Sequence, residues 1–394
     1  MSRRRHPVHR LAPAAAAAGL ALCFLASCGD GDRLGNPNLP QDCPDGAFLT
    51  VSPIPLPDLL EVAPLGNINP PGHIAPSDHI GLTIRVEPGA DAPVVTDLLC
   101  PGDLVVERVT AFQTSRPGHA DAFEYSITLL ACEDIILQFG HVTDLDTTLF
   151  GPLAGFPGWE LVDTQVDGEV TFTTRQKSFN LPVAAGVRLG SGGGHRNQWG
   201  VDLGLYDLSR PPEFVASDLW DTWYAWARCP LAYFTAGALQ DTLYALLTLP
   251  DAVRDDPVYG CGVLHEDIVG ALQGIWFPAV GASMDHEDRD ISFSHLSSDP
   301  RVQIIANGGA ASATFPSWVY DIDPVLDTGF LNRDFASVIA DGSIYGYHVT
   351  GEGGDPWTIL TRLVSADTLW CEGFPGHLAP ETWAFSAAHD VYIR

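Results

Sequence analysis

Short runs in which hydrophobic and polar residues alternate, separated by turn signals, dominate the chain from Phe48 to about Leu208. The runs are rich in the β-branched and aromatic residues that favour strands. They are HIGLTIRV, PVVTDLL, LVVERVTAF, EYSITLL, DIILQFGHV, GEVTFTT, GVRLG and WGVDLGLYDL. The pattern predicts a mainly β first domain over residues 48–210, built as an antiparallel sheet or flattened barrel.

Helical spacing replaces this alternation between two β-rich parts of the chain. Leucine and phenylalanine recur at near-helical intervals from Leu231 to Leu247, and Pro230 fits the first turn of a helix, where its missing N–H costs nothing. We therefore expect a helical connector over residues 211–254. Runs such as RDISFSHL, RVQIIANG, SIYGYHVT and WTILTRLV follow. They predict a second, β-rich (α+β) domain over residues 255–394.

Composition narrows the class of protein. The chain has 394 residues, of which 46% are hydrophobic and 18% charged, so a coiled coil, a collagen-like repeat and a wholly disordered chain are excluded. The length suits two domains with real cores. The formal net charge is −29, and Lys177 is the single lysine. Because this charge repels phosphate backbones, nucleic acid is not an expected partner.

The first residues have the character of an export signal. Residues 1–10 are basic, and residues 11–27 form an apolar, alanine-rich run that is too short for a membrane span. The run ends in Leu-Ala-Ser-Cys28, which resembles the bacterial lipobox, where a lipid is attached to the cysteine and the chain is cut before it. We expect a signal peptide over 1–27, a lipid anchor on Cys28 and a flexible tether over 28–47. The alternative is an ordinary signal peptide with Cys28 merely nearby. Gly29, rather than Asp, follows the cysteine, which favours the outer membrane.

The cysteine content fits an exported protein. Of eight cysteines, Cys23 leaves with the signal and Cys28 is acylated, and an even number outside the cytoplasm indicates disulfides. Sequence order suggests three pairs, although it leaves other connectivities open. These pairs are Cys100 with Cys132, Cys229 with Cys261, and Cys43 with Cys371.

Four segments of the first domain follow one another in a recognisable order. They are HIGLTI from His79, CPGDLVV from Cys100, FGHV from Phe139 and VAAGVRLG from Val183. In this order they resemble the M23 metallopeptidase family, which includes the lysostaphin-like and LytM-like peptidoglycan hydrolases, over roughly residues 62–207. The resemblance implies an antiparallel β fold with a zinc site and an envelope substrate.

The departures from that family fall on the metal site. The family holds zinc with the His and Asp of the first strand and with the second His of a His-x-His strand, while other histidines act as general base or stabilise the oxyanion. Here Thr83 occupies the Asp position, and Asp202-Leu203-Gly204 stands where His-x-His is expected. A catalytic zinc needs three protein ligands. The resemblance therefore implies a degenerate member that does not hydrolyse its ligand.

A second interpretation keeps the site active. His73, His79 and Asp202 are a chemically adequate zinc set, with His141 as general base. Asp78 is left out of this set, because neighbouring side chains on a strand face opposite ways.

Each of these residues also has an ordinary structural interpretation. His73 would cap a turn, His141 would bond a backbone carbonyl, and Asp202 would pair with Arg188 or Arg196. Taken one at a time, such roles are the more common ones for these residue types.

Two further features bear on ligand binding. The glycine-rich segment 191–196 (SGGGHR) lacks the Lys-Ser/Thr and the helix of a phosphate cradle, and is interpreted as a rim loop. Trp220, Trp223, Tyr224 and Trp226 either stack on sugars or pack a domain interface.

Three hypotheses remain for the function. In the first, a lipid-anchored envelope protein with a degenerate M23-like domain binds peptidoglycan or another envelope polymer. The second is an active zinc endopeptidase that acts on peptidoglycan cross-links. The third is a structural surface lipoprotein.

Overall fold

The computed structural model describes residues 38–394, except 41, 45, 69–72, 197, 213, 221–222, 251–259, 281–288, 309–313, 315–316, 323 and 352–353. The expected signal peptide over 1–27, Cys28 and the first part of the tether lie outside the described residues. Among the described residues, no helix is long and apolar enough to cross a membrane.

Antiparallel strands build the first half of the fold. They are β1 (Leu59–Ala63), β2 (His79–Ile84), β3 (Thr96–Leu99), β4 (Leu104–Ser115), β5 (Ala122–Leu130), β6 (Ile135–Val142), β7 (Asp144–Leu145), β8 (Glu160–Asp167), β9 (Val170–Val183), β10 (Arg188–Gly192) and β11 (Gly200–Asp207), with a short helix α1 (Thr147–Phe150) between β7 and β8. Eight of them form a sheet in the order β1-β2-β11-β6-β5-β4-β9-β8. A smaller sheet has the order β3-β10-β7.

One face of the large sheet is apolar and the other is polar, as the alternating sequence requires. In β2, Ile80, Leu82 and Ile84 are buried, while the intervening residues are half-buried on the opposite face. The same alternation in β11 buries Val201 and Leu203. The polar face of β2, β11, β6 and β5 carries the candidate site.

The connector is less helical than its spacing predicts. Its described residues form three 3-10 turns, Ser217–Leu219, Tyr224–Trp226 and Pro230–Tyr233, followed by the eight-residue helix α2 (Ala238–Ala245). Pro230 does begin a helical turn, as expected. The apolar residues between these turns pack against the first sheet instead of extending one long helix.

The aromatic residues of the connector pack inside the molecule. The ring of Trp220 stacks on Phe214 with 3.7 Å between centroids, and it also contacts Tyr224 and Phe277. Trp220 and Tyr224 are buried. These two residues pack in the interior, as the interface interpretation predicts, while Trp223 and Trp226 are half-buried against the first core.

The second half is a further antiparallel sheet of eight described strands. They are β12 (Gly274–Pro278), β13 (Ile291–Leu296), β14 (Asp299–Asn307), β15 (Trp318–Ile322), β16 (Tyr345–Thr350), β17 (Pro356–Ser365), β18 (Thr368–Pro375) and β19 (Asp390–Ile393), with 3-10 turns at Phe335–Ser337 and Pro380–Thr382. The order is β15-β14-β13-β12-β19-β18-β17-β16, and the two edge strands approach each other so that the sheet is a nearly closed barrel. With 46% strand and 9% helix, the predicted mainly β class is confirmed.

Strand β12 contributes to the two large hydrophobic cores. Ile275 and Phe277 are part of the core of the first half, whereas Trp276 between them is part of the barrel core. All three side chains are buried. Alternate residues of a strand point to opposite faces, so a single strand can serve two cores in this way.

The disulfide prediction is wrong for two of its three pairs. Cys43 bonds Cys132 instead of Cys371, and the predicted pair Cys229–Cys261 is present. Cys100 is a free thiol buried in the first core, and its sulfur donates to the carbonyl oxygen of Gly102; Cys371 is a free thiol buried in the barrel core. The two free thiols thus belong to different cores.

The end of the predicted tether is part of the folded structure. The Asn38 amide donates to the carbonyl oxygen of Asn180, Leu39 is buried, and Cys43 is fixed to Cys132 by its disulfide. The expectation of little structure up to residue 47 is therefore wrong for this part of the segment.

Candidate functional site

Two histidines converge on one carboxylate on the polar face of the first sheet. His79 Nε2 lies 3.4 Å and His141 Nε2 lies 3.2 Å from the same oxygen, Oδ2 of Asp202. The three residues come from the adjacent strands β2, β6 and β11. The sequence hypotheses selected all three, and the fold brings them together.

Strand register and glycine make room for this arrangement. Asp202 is paired with Gly81 on one side and with Gly140 on the other. A Cβ at Gly140 would lie 3.4 Å from Asp202 Oδ2, and one at Gly81 would lie 3.9 Å from Oδ1. Because Gly81 and Gly140 have no side chains, neither stands between the two imidazoles and the carboxylate of Asp202.

A β-bulge aims His141 at the site. The pairing of β5 with β6 shifts between Tyr125 and Ile127, and β6 contributes one extra residue there. His141 has φ +58°, in the left-handed region, and Phe139 and Val142 are both fully buried. A regular strand would turn residues 139 and 141 to the same buried face, so the bulge is what places the imidazole outside. The Gln198 amide donates to the carbonyl oxygen of His141 and supports this backbone.

The second ring nitrogen of each imidazole, Nδ1, also contacts a carboxylate. His79 Nδ1 donates to Asp78 Oδ1 at 2.9 Å, and His141 Nδ1 lies 2.5 Å from Glu124 Oε1. The expectation that the side chains of Asp78 and His79 point to opposite faces of the strand is wrong, because the two side chains are hydrogen-bonded to each other at the beginning of β2. The site is therefore a chain of alternating carboxylates and imidazoles.

This arrangement keeps the imidazoles charged. Burial lowers the pKa of His79, but the carboxylates of Asp202 and Asp78 raise it by more than burial lowers it, so that the pKa is about 9. For His141 burial again lowers the pKa, while Asp202 and Glu124 raise it to about 9. Both side chains are thus imidazolium ions at neutral pH, and each N–H faces a carboxylate.

Tyr206 fills the position where the family resemblance expects a zinc ligand. It follows Gly204 on the same face of β11, and its hydroxyl donates to Asp78 Oδ2 at 2.7 Å. A Cβ at Gly204 would lie 2.7 Å from the Tyr206 hydroxyl oxygen and 3.0 Å from its ring. No side chain fits at residue 204 unless this tyrosine moves.

The predicted zinc set is not assembled as such. His73 packs edge-to-face on His79, with 5.1 Å between ring centroids, and His79 turns its Nε2 to Asp202. Within the part of the chain that is described, no three His, Cys, Asp or Glu side chains form a group that could hold a metal ion. A catalytic zinc needs three protein ligands, and the described donors do not supply such a set.

The structural interpretations of the individual residues are also corrected. Asp202 pairs with the two histidines and not with an arginine. Arg188 pairs with Asp97 and Asp146, and Arg196 pairs with Asp91. His141 accepts a hydrogen bond through its own carbonyl oxygen, while its ring faces carboxylates.

Sequence reasoning missed Glu124, Tyr206 and Gln198. Tyr206 could have been found, because it is two residues beyond Gly204 and therefore on the same face of a predicted strand. Glu124 and Gln198 carried no comparable signal, since their contacts with His141 depend on strand pairing and on the path of the rim loop.

Comparison of the chain with family models, with curated proteins and with solved structures found no match. The site is therefore interpreted from its own geometry.

Proposed function

We propose that this protein is a lipid-anchored cell-envelope protein whose first domain binds peptidoglycan or another envelope polymer at the His79, His141 and Asp202 site without hydrolysing it. In this proposal the domain is a degenerate relative of the M23 peptidases. The observation that carries the proposal is Tyr206, which occupies the space of a ligand side chain at Gly204.

The state of the histidines supports binding over hydrolysis. A general base must be able to accept a proton, yet both imidazoles have a pKa of about 9 and hold protons at neutral pH. Their nitrogens face Asp78, Glu124 and Asp202. A preorganised set of charges of this kind can orient a polar ligand without taking part in chemistry.

The site is open to a ligand. The side chain of His141 is 43% exposed and that of Glu124 is 33% exposed, although both are fixed by contacts. Exposed polar groups that are held in one geometry lose little conformational entropy when they bind. A large polymer could therefore reach them from the polar face of the sheet.

Three measurements on the purified protein separate the hypotheses. We expect sedimentation with purified sacculi, no release of dye from dye-labelled sacculi, and no stoichiometric zinc by elemental analysis. Asp202→Ala should weaken sedimentation, whereas Asp97→Ala, which removes a carboxylate paired with Arg188 elsewhere, should not.

The other outcomes favour other functions. The convergence of His79, His141 and Asp202 is the observation that favours the zinc endopeptidase. If the wild-type protein contains about one zinc per chain and releases dye, and if His79→Ala loses both the zinc and the dye release, that activity is established and the proposal is overturned. If the protein contains no zinc and does not sediment with sacculi, the structural lipoprotein is favoured.

The anchor rests on the sequence of the first residues. Metabolic labelling with a fatty-acid analogue should mark the wild-type protein and not Cys28→Ser. Labelling that persists in the variant would contradict the assignment of Cys28.

A further inference from the structure

We infer that Phe112 is the residue on which the proposed polymer ligand stacks, and that this ligand is a glycan strand lying across the first sheet from Asp202 to Phe112. The inference rests on the proposed function, because it names the part of the envelope polymer that the same site would recognise. The pairing of the strands places Phe112 next to the site, on the same face of the sheet.

Phe112 is the cross-strand neighbour of a site residue. It pairs directly with Glu124 of β5, and the Glu124 carboxylate contacts the ring of His141. Directly paired residues of an antiparallel sheet point to the same face, with their Cβ atoms about 5 Å apart. The alternation in β4 agrees with this, because Val109 and Ala111 are buried in the first core and the residue after Ala111 must point to the polar face.

Phe112 does not serve to fill a hydrophobic core. It is half-buried, yet it is neither a member of the hydrophobic clusters of the described residues nor one of the side chains packed against them. The same holds for Phe172, which is its diagonal neighbour because Phe112 pairs with Thr174 and Phe172 pairs with Thr114. The two phenylalanines thus form an apolar patch at the border of the charged site, and apolar patches with a polar rim are typical of ligand-binding grooves.

Polar groups flank Phe112 on both neighbouring strands. On β5, Glu124 contacts His141 through Oε1, and its other carboxylate oxygen has no partner among the described residues. On β9, Thr174 has no side-chain hydrogen bond within the described part of the chain. A pyranose ring has an apolar face of C–H groups, which stacks on an aromatic ring, and hydroxyls at its edge that donate and accept hydrogen bonds. An aromatic residue between a carboxylate and a hydroxyl matches such a ring.

The charged site and Phe112 form one oblique band across the sheet. His141 contacts Asp202 and Glu124 through its two ring nitrogens, and Glu124 pairs with Phe112. The band crosses β11, β6, β5 and β4, which are neighbours in that order. At about 4.8 Å between strands the band is at least about 14 Å long. A single sugar ring does not span this length, so the band suits an oligomer that lies across the strands.

The position of this band disfavours a peptide ligand. Peptides bind sheets mainly by adding a strand to an exposed edge, where backbone N–H and C=O groups are unpaired. The edges of this sheet are β1 and β8, whereas the band lies on interior strands that are paired on both sides. Recognition on this face must therefore come from side chains. The excess of carboxylates on this acidic chain also disfavours the carboxylate-rich stem peptides of peptidoglycan.

The test compares variants and ligands by titration. Wild type, Phe112→Ala, Phe112→Leu, Phe112→Tyr and the control Phe330→Ala are titrated with peptide-free glycan strands and with soluble stem peptides. Phe330 suits the control because it is 52% exposed and belongs to the barrel half, where its ring contacts Tyr345. We expect Phe112→Ala and Phe112→Leu, which both remove the ring, to raise the Kd for glycan strands about tenfold or more. Phe112→Tyr and Phe330→Ala should change it less than about threefold.

The outcomes are distinct. If Phe112→Ala binds glycan strands as Phe330→Ala does, or if wild type binds sacculi or stem peptides but not glycan strands, the inference is overturned while polymer binding stands. If wild type binds none of the glycan strands, stem peptides and sacculi, the proposed function itself fails. Should Phe112→Ala and Phe112→Leu fold poorly by circular dichroism, saturation transfer by NMR from the glycan to the carbon-13-labelled ring of Phe112 is measured in wild type. Transfer supports stacking on this ring, and its absence overturns the inference.

Discussion

Replacing Asp202 by asparagine tests the electrostatics of the site most directly. The substitution keeps the shape of the side chain and removes the charge that faces both imidazoles. Asp202 contributes to the raised pKa of His79 and of His141, while burial lowers both values. In Asp202→Asn the charge that raises both pKa values is removed, while burial still lowers them. Both pKa values should therefore fall from about 9 towards or below the ordinary 6.5.

The magnitude follows from linkage between protonation and folding. A folded-state pKa of His79 raised from 6.5 to about 9 corresponds to about 3 kcal/mol of stability. This contribution is fully present below pH 6.5 and is lost as the pH rises through about 9. His141 is more exposed, and after allowance for solvent screening we assign it about 1 kcal/mol. Wild type should thus lose about 4 kcal/mol between these limits, a large share of the stability of an ordinary domain.

The assay is urea unfolding measured from pH 6 to pH 10, together with NMR of histidine rings labelled with carbon-13. Wild type should lose stability steadily across this range, and Asp202→Asn should lose much less. Asp97→Asn is the matched control, because its partner Arg188 stays charged throughout and the pH slope should not change. Equal slopes in wild type and Asp202→Asn, or ring pKa values unchanged by the substitution, would refute the assignment of Asp202 as the group that holds these protons.

Three further predictions concern stability. Replacing Cys43 and Cys132 by serine should cost about 4 to 5 kcal/mol in urea unfolding, because the bond closes a loop with a sequence separation of 89; a loss below about 1 kcal/mol would contradict this. Gly200→Ala should destabilise by about 1 to 3 kcal/mol, since its Cβ would meet the Leu82 carbonyl oxygen, and an unchanged thermal midpoint would show that the backbone yields there. Arg394 donates to backbone carbonyl oxygens and stacks on an indole, so Arg394→Lys should lower the thermal midpoint because an ammonium cannot replace the planar fork; equal midpoints would argue against that geometry.

The sequence predicted the strands better than the contacts between them. Alternation in β2 and β11 predicts that His79 and Asp202 each lie on the polar face of their own strand, because a strand has a strict period of two. That the two strands are neighbours is known only from their pairing in the structure. The same rule fails for His141, because the bulge in β6 changes the period by one residue at that point. Bulges leave no reliable signal in a single sequence, since they depend on the pairing partner.

The errors elsewhere have the same origin in long-range pairing. Order along the chain suggested Cys100 with Cys132, but Cys132 bonds Cys43, which reaches it from a segment expected to be a loose tether. Helical spacing in the connector arose from apolar residues packing on the sheet, and of its described residues only Ala238–Ala245 form an α-helix. In both cases tertiary contacts override the local pattern.

The sharing of β12 between two cores has a consequence for how the molecule melts. If unfolding of the barrel removes Trp276 from the barrel core, β12 moves with it, and Ile275 and Phe277 leave the core of the first half. The halves are then thermodynamically coupled through this strand, in addition to the small cluster that Ile68 and Ile74 form with Ile304 and Ala306, so a scanning calorimeter should record one joint transition instead of two independent ones. A cut on either side of this strand would leave one fragment with an unfilled interior.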